Sequence, residues 1–178
     1  AYCYRCPVGR KRDTCDIECL ERIEALLEEK GQEVAAVIVE PLIQGAGGMI
    51  MHPPEFLKRT RELCTRHGVL LIADEVFTGF GRTGSMFACD GAEVVPDIMC
   101  LSKGLTGGFL PFAATLCTDT VYAPFHAPDR MRTLFHGHSY AGNPIGCAAA
   151  VASLEVFESE PVFERIRTVE RIHRERLP

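Results

Sequence analysis

The chain has 178 residues, of which 24 are acidic and 19 are Lys or Arg, a net charge of −5, and 47% hydrophobic residues; such a length suits one domain able to bury about 70% of its unfolded surface. An acidic balance without a basic stripe excludes nucleic acid as the main partner. No apolar run approaches the roughly 18 residues of a membrane helix and no basic-then-apolar leader opens the chain, so the expectation is an unexported, cytoplasmic protein with no membrane partner.

The front carries Cys3-x2-Cys6 and Cys15-x3-Cys19, a tolerable spacing for zinc ligands. Cys19 also falls on a helical pattern, where it reads equally as core. Cys64, Cys89, Cys100, Cys117 and Cys147 are scattered through apolar segments, which suits thiols in a reducing cytosol. Asp16 to Lys30 places Ile17, Leu20, Ile23, Leu26 and Leu27 on one face of a helix, with Gly31 as its stop. Val34 to Val39 predicts a buried strand that delivers Glu40-Pro41, and Gln44 to Gly48 is a glycine-rich loop. Pro53 to His67 predicts a second helix, with Phe56, Leu57, Thr60, Leu63 and Cys64 inward and Gly68 as its stop. Val69 to Ala73 predicts a strand covered on both faces, parallel to the first and joined to it by a right-handed crossover. It delivers Asp74 at its carboxyl end, where open α/β sheets place ligands.

After Pro96, Asp97 to Leu101 predicts another strand, delivering Ser102-Lys103 into Gly104, Gly107 and Gly108. Pro111 to Cys117 is a further apolar strand. Asn143 caps a helix that starts at Pro144, whose Ala148-Ala149-Ala150 run permits close packing, and Glu160 to Leu177 reads as a charged, solvent-facing helix.

The chemistry concentrates between Asp74 and Lys103. A lysine leaving an apolar strand into a glycine-rich turn is expected to be buried, and desolvation disfavours the ammonium and leaves a nucleophilic amine. Asp74 reads as a buried acid able to hold a pyridinium nitrogen protonated. Glu40 is open to two readings, a general base or a structural carboxylate before proline. Gly79-Phe80-Gly81-Arg82-Thr83-Gly84 fits the G-x-G-x-x-G of dinucleotide sites, yet Asp74 and Glu75 intervene and Gly91 and Pro96 spoil the following helix, so a plain glycine turn competes. His136 and His138 alternate as metal ligands do, but no acid or thiol stands near them in sequence.

The runs IADEVFTGFGRTG and PDIMCLSKGLTGG, with VIVEPLIQGAGGM and HGHSYAGNP, resemble the class III pyridoxal-phosphate aminotransferases of fold type I. The match starts at Tyr2-Cys3-Tyr4-Arg5-Cys6-Pro7 and covers nearly the whole chain. The resemblance implies an α/β large domain with a mostly parallel sheet and helices on both faces, incomplete at both ends. Residues 1–178 would belong to that cofactor-binding domain, with those from about 160 leading toward a small C-terminal domain. It makes Lys103 the residue that binds pyridoxal 5′-phosphate and moves the proton, Asp74 the partner of the ring nitrogen, and Val76 a contact on the ring face. His138 and Ser139 would hold the cofactor phosphate of a neighbouring subunit, which implies a homodimer, with Gly137 and Arg82 at the substrate. The family is not defined by a metal, and none is expected.

Class III enzymes acting on ornithine or γ-aminobutyrate carry a glutamine and a glutamate where this chain has Phe77 and Ala46. Both departures resemble the branch that converts 8-amino-7-oxononanoate to 7,8-diaminononanoate in biotin synthesis. Its usual amino donor is S-adenosylmethionine, and lysine in some members. Two alternatives remain: another ω-amino acid aminotransferase, or an inactive fragment of one. The second stands because the family's Gly-Ser phosphate loop, its stacking aromatic residue and its carboxylate-binding arginine are not among these residues.

Overall fold

The computed structural model describes residues 6–177; Cys3 and the rest of residues 1–5 lie outside the described residues. After short 3₁₀ turns at Arg12–Thr14 and Glu18–Leu20, helix α1 spans Glu21–Lys30. Its start lies later than the apolar pattern predicts. Ile17 has φ +63, a left-handed value that cannot continue a right-handed helix. Gly31 caps the end of α1 as expected, without the left-handed turn common at such a position. Its φ is −54, and the chain runs on into a 3₁₀ turn at Gly31–Glu33.

Strand β1 (Ala36–Val39) is followed by a small antiparallel hairpin, β2 (Ile43–Gln44) with β3 (Ile50–Met51), built around the loop of glycines. Helix α2 (Pro54–His67) ends as predicted at Gly68, whose φ of 66 is open to glycine and whose N–H reaches the carbonyls of Cys64 and Thr65. Strand β4 (Leu70–Asp74), the one-turn helix α3 (Ala88–Gly91), β5 (Ile98–Leu101) and a 3₁₀ turn at Lys103–Thr106 come after it. Next come β6 (Ala114–Cys117), the short helix α4 (Asp119–Tyr122) and a 3₁₀ turn at Arg130–Arg132. Helices α5 (Pro144–Ser159) and α6 (Val162–Arg176) close the chain, and Asn143 caps α5 by accepting from the Ile145 N–H at 3.0 Å.

The four-stranded sheet has the order β1-β4-β5-β6. β1 pairs with β4 and β4 with β5 in parallel, as the crossover through α2 requires, while β6 returns antiparallel to β5. Along β4 the inward residues alternate. Leu71 and Ala73 are fully buried against Leu57 and Cys64 of α2, Cys89 of α3 and Ala92 just after it. Each large apolar side chain buried in this way stabilises the fold by about 1.5–3 kcal/mol; truncation of Leu71 to alanine costs about 2–5 kcal/mol. A second cluster joins Ile17, Leu20 and Leu27 to Leu63 and Val69, with Cys15 and Cys19 packed against it. The Arg61–Asp97 ion pair at 2.6 Å, half-buried on both sides, ties α2 to the start of β5.

Helices α2, α3 and α5 pack on the face that carries Val37, Leu71, Ala73, Met99 and Leu101. The opposite face is open in places: Ile38 is 65% exposed, and Thr115 and Cys117 are exposed. Residues 128–142 form an arm exposed throughout, with Met131, Leu134, Phe135 and Tyr140 in solvent. Among the described residues no helix is long and apolar enough to cross a membrane, and no group of three or more His, Cys, Asp or Glu side chains is placed to hold a metal.

Candidate active site

Because β4 and β5 are parallel neighbours, their carboxyl ends lie side by side, with Asp74 the Cα partner of Cys100. The two segments beyond those ends deliver Asp74, Val76, Phe77 and Lys103 to one cleft of about 340 Å³, which Glu40 and Gly45 close from the β1 end. The size is within the range of small-molecule sites. Asp74 is half-buried, and its Oδ1 accepts from the Val76 N–H at 3.1 Å. This local turn fixes the carboxylate and leaves Oδ2 to a ligand. Burial, and after it the charge of Asp74, pushes the neighbouring Cys100 thiol up.

Lys103 is exposed in this chain, not buried as the sequence leads one to expect. The strand and the glycine turn place it without covering it. Its Nζ lies 5.4 Å from the centroid of the Phe77 ring. Its backbone has φ +46, an uncommon conformation for a residue with a Cβ, of the kind held only where the surroundings enforce it. Here the enforcing contacts are the Gly108 N–H donating to the Lys103 carbonyl at 3.0 Å, the buried side chains of Leu105 and Thr106, and Gly104 seated under Phe80. A Cβ on Gly104 would lie 2.7 Å from the Cβ of Phe80. Lys103 also borders a second, mainly apolar cavity of about 780 Å³, shared with Phe80, Arg82, Phe157 and Val162.

The deeply buried acid is Glu75, which the sequence reading passed over. It is fully buried; Oε2 accepts from the Thr78 hydroxyl and from the Ala88 N–H at 3.0 Å, and Oε1 from the Cys89 N–H at 2.8 Å. The signal for it was present: the inward alternation Leu71, Ala73 continues to position 75. Burial, and after it the charge of Glu75, pushes the Cys89 thiol up.

Glu40 has a structural role, accepting from the Gly45 N–H at 2.8 Å and so closing the loop over the cleft. The loop packs closely here: a Cβ on Gly45 would stand 3.1 Å from the Phe77 ring, which would have to give by a few tenths of an ångström. His52 supports the same loop from below. It is buried, with Nε2 3.2 Å from the Glu40 carbonyl and its ring 4.5 Å from that of Phe56, and burial pulls its pKa below the usual imidazole range. The Gly79–Gly84 run is a loop packed beneath Phe157, Phe163 and Ile166, and a Cβ on Gly81 would lie 2.6 Å from Ile166. It does not open a helix as a dinucleotide site requires. Arg82 on this loop is exposed, with its guanidinium carbon 5.9 Å from the Phe77 centroid.

Asp74, Val76 and Lys103 are therefore brought together within one chain, whereas Gly137, His138 and Ser139 are not. All three lie on the exposed arm. His138 Nδ1 accepts from the Tyr140 N–H at 3.1 Å and borders a separate cavity of about 530 Å³ with Ser102, Phe112 and Asn143. The cleft offers a tethered carboxylate, able to pair with a protonated ring nitrogen, and a primary amine able to add to an aldehyde.

Three comparisons bear on this arrangement. A protein of Geobacter sulfurreducens named adenosylmethionine-8-amino-7-oxononanoate aminotransferase is 53% identical over 178 residues, which is 99% of this chain and 39% of the relative. The crystal structure of the enzyme of that name from Methanocaldococcus jannaschii superposes with a TM-score of 0.84 at 44% identity, covering 90% of this chain and 38% of the other. An amine transaminase from an uncultivated Pseudomonas species, solved in its PLP-bound form, superposes with a TM-score of 0.79 at 43% identity, covering 88% of this chain and 36% of the other. The chain spans about a third to two fifths of the length of the curated relatives it matches. The family described as Aminotransferase class-III matches residues 3–178, and with β4 and β5 converging on Asp74 and Lys103, the chain belongs to the class III aminotransferases.

Proposed function

We propose that this chain is part of a pyridoxal 5′-phosphate-dependent enzyme that transfers an amino group to 8-amino-7-oxononanoate, yielding 7,8-diaminononanoate, with S-adenosylmethionine as donor. The observation that carries the reading is the convergence of Asp74 and Lys103 on one cleft, in a chain 53% identical to a relative named for that reaction. The cofactor, when bound, supplies an electron sink for the carbon that loses its proton.

This chain's residues supply the rest. Lys103 holds the cofactor through Nζ and, once displaced by the donor amine, accepts and returns the proton at Nζ. Its open position suits that motion. Asp74, with Oδ1 tied to the Val76 N–H and Oδ2 left over, would pair with the ring nitrogen and keep it protonated by opposite charge. Val76 packs on the ring face, and Phe77, lining the same cleft, brings an apolar edge with no hydrogen-bond donor. Arg82, which borders the second cavity beside Lys103, and Gly137, brought in from the other subunit's arm, would meet the substrate.

The active assembly is a homodimer in which His138 and Ser139 of one subunit hold the cofactor phosphate of the other. Support comes from the arm, which is exposed over residues 128–142, carries apolar Met131, Leu134 and Phe135, and lines no part of its own chain's Asp74–Lys103 cleft. We assign residues 1–178 to the large domain, with the chain turning toward a small domain after Pro161, between α5 and α6. A reducing cytoplasm suits Cys64 and Cys89, which are buried as thiols.

Borohydride reduction of the full-length protein, with peptide mapping of the product, should place the cofactor on Lys103. A tag on Lys58, or on no lysine, refutes the assignment. Growth of a biotin auxotroph blocked at this step should be restored by the full-length gene. No growth, with transamination of another ω-amino acid by the purified protein, would replace the substrate.

A further inference from the structure

We propose that Glu75 is a positioning residue for Asp74, acting through the Val76 N–H; the proposal rests on the transaminase reading above for its consequence in turnover, but not for its geometry. Glu75 joins three elements at one point. Its N–H donates to the Cys100 carbonyl of β5 at 3.0 Å, its carbonyl accepts from the Gly79 N–H at 2.9 Å, and its carboxylate receives Thr78, Ala88 and Cys89. The loop that leaves the sheet at position 75 therefore returns, at positions 88 and 89, to the side chain it departed from. Between those points lie Val76, Phe77 and Arg82, and the Val76 N–H is the group that holds Asp74 Oδ1 at 3.1 Å. Moving the loop moves that donor, and with it the direction of the Asp74 carboxylate.

The carboxylate is suited to this position because both of its oxygens accept. An amide of the same shape has one oxygen and one NH₂ group, so Glu75→Gln must turn a donor toward either the Cys89 N–H or the pair formed by Thr78 and the Ala88 N–H. Buried donors without acceptors are disfavoured strongly enough to open the loop rather than tolerate the mismatch. Neither Glu75 nor Thr78 lines the cleft, so an effect on the cofactor has to pass through the loop they anchor, by way of Asp74 or of Val76 and Phe77, and the Val76 amide together with the cofactor titration reads the Asp74 route.

The test uses the full-length protein, as Glu75→Gln and as the milder Thr78→Val, which leaves the carboxylate and its two backbone donors in place. Amide hydrogen exchange of the cofactor-free protein is the first readout. In Glu75→Gln the Ala88, Cys89 and Val76 amides should all exchange faster, with the same order and a smaller change in Thr78→Val. Faster exchange at Ala88 and Cys89 with Val76 unchanged would mean that the anchor does not reach Asp74, and would overturn the proposal. If Glu75→Gln is recovered unfolded, Thr78→Val decides on the same three amides. The second readout is the pH titration of the bound cofactor's visible absorption, which should move toward that of Asp74→Asn while turnover falls about tenfold to a hundredfold. An unchanged titration with a lowered melting temperature would assign Glu75 to stability alone. Absence of any cofactor spectrum in the unmodified protein would refute the transaminase reading instead, and the amide exchange would still judge the anchor.

Discussion

Gly104→Ala tests whether the position of Lys103 is set by the contact beneath it. A Cβ on residue 104 would lie 2.7 Å from the Cβ of Phe80 and 2.8 Å from its ring, whereas ordinary contact begins at 3.4 Å, so 3.4 − 2.7 = 0.7 Å of movement is needed. Phe80 cannot swing clear, because the crowded atom is its own Cβ. Its backbone is held by the N–H donating to the Met86 carbonyl at 2.7 Å, and its ring lies 5.8 Å from that of Phe87 and 6.4 Å from that of Phe157. The turn carrying Lys103 has to yield. Overpacking of this kind costs about 1–3 kcal/mol, and displacing a reacting group by most of an ångström costs on the order of a hundredfold in rate. In the full-length enzyme the variant should keep the cofactor attached and the substrate KM within a fewfold, while kcat falls about tenfold to a hundredfold. Stopped-flow absorbance of the donor half-reaction measures the chemical step directly. Parental kcat in a folded Gly104→Ala enzyme would show that this contact does not place the lysine.

On the proposed reading Asp74→Asn removes the charge that would face the ring nitrogen, so turnover should fall by orders of magnitude while borohydride still tags Lys103; retained turnover counts against the pairing. Asp97→Asn removes the charged acceptor of the Leu71 N–H at 2.7 Å and the partner of Arg61, at a cost of about 2 kcal/mol in urea unfolding near neutral pH. Burial works against the Asp97 carboxylate, but the Leu71 N–H and Arg61 outweigh it and hold its pKa below the ordinary value. Its contribution is therefore present above the unfolded carboxylate pKa of about 3.9 and is lost as pH falls through the lower folded value. The stability gap between parent and Asp97→Asn should close across that window, and a gap independent of pH would contradict the assignment. Mixing inactive Lys103→Ala and Ser139→Trp chains should restore about a quarter of parental activity. Half of randomly formed dimers are mixed, and each mixed dimer has one site with both defects and one with neither. No recovery after demonstrated subunit exchange would assign Ser139 to its own subunit's cofactor.

The scaffold was legible in the sequence where one local signal decided it. Val69 to Ala73 and Ile98–Leu101 are uninterrupted apolar runs, and α2 has both an apolar face and a glycine that stops it in the left-handed region. Strand polarity is not written in an apolar run, so the antiparallel return of β6 came from the structure alone. That Asp74 and Lys103 share one cleft was legible because two parallel strands point their carboxyl ends at the same edge of the sheet. Burial at the site was not, since it depends on distant partners. Glu75 is satisfied by residues 88 and 89, too far along the chain for a local reading. Lys103 is exposed although its strand is apolar, because cover for a side chain comes from the elements that face it and not from the strand that precedes it. The Gly31 stop was legible, but not its backbone: a glycine permits the left-handed conformation without compelling it, and here its φ is −54.

The left-handed backbone at Lys103 bears on how variants of this protein are best selected. A side chain held at φ +46 costs the fold roughly 1–2 kcal/mol that glycine at the same place would not. Replacement of the lysine by glycine would thus relieve that strain and, on the reading proposed above, remove the reacting amine in the same step. Libraries sorted on heat resistance or expression alone would not select against that change, and only a screen that reads turnover in the same round would hold the lysine in place.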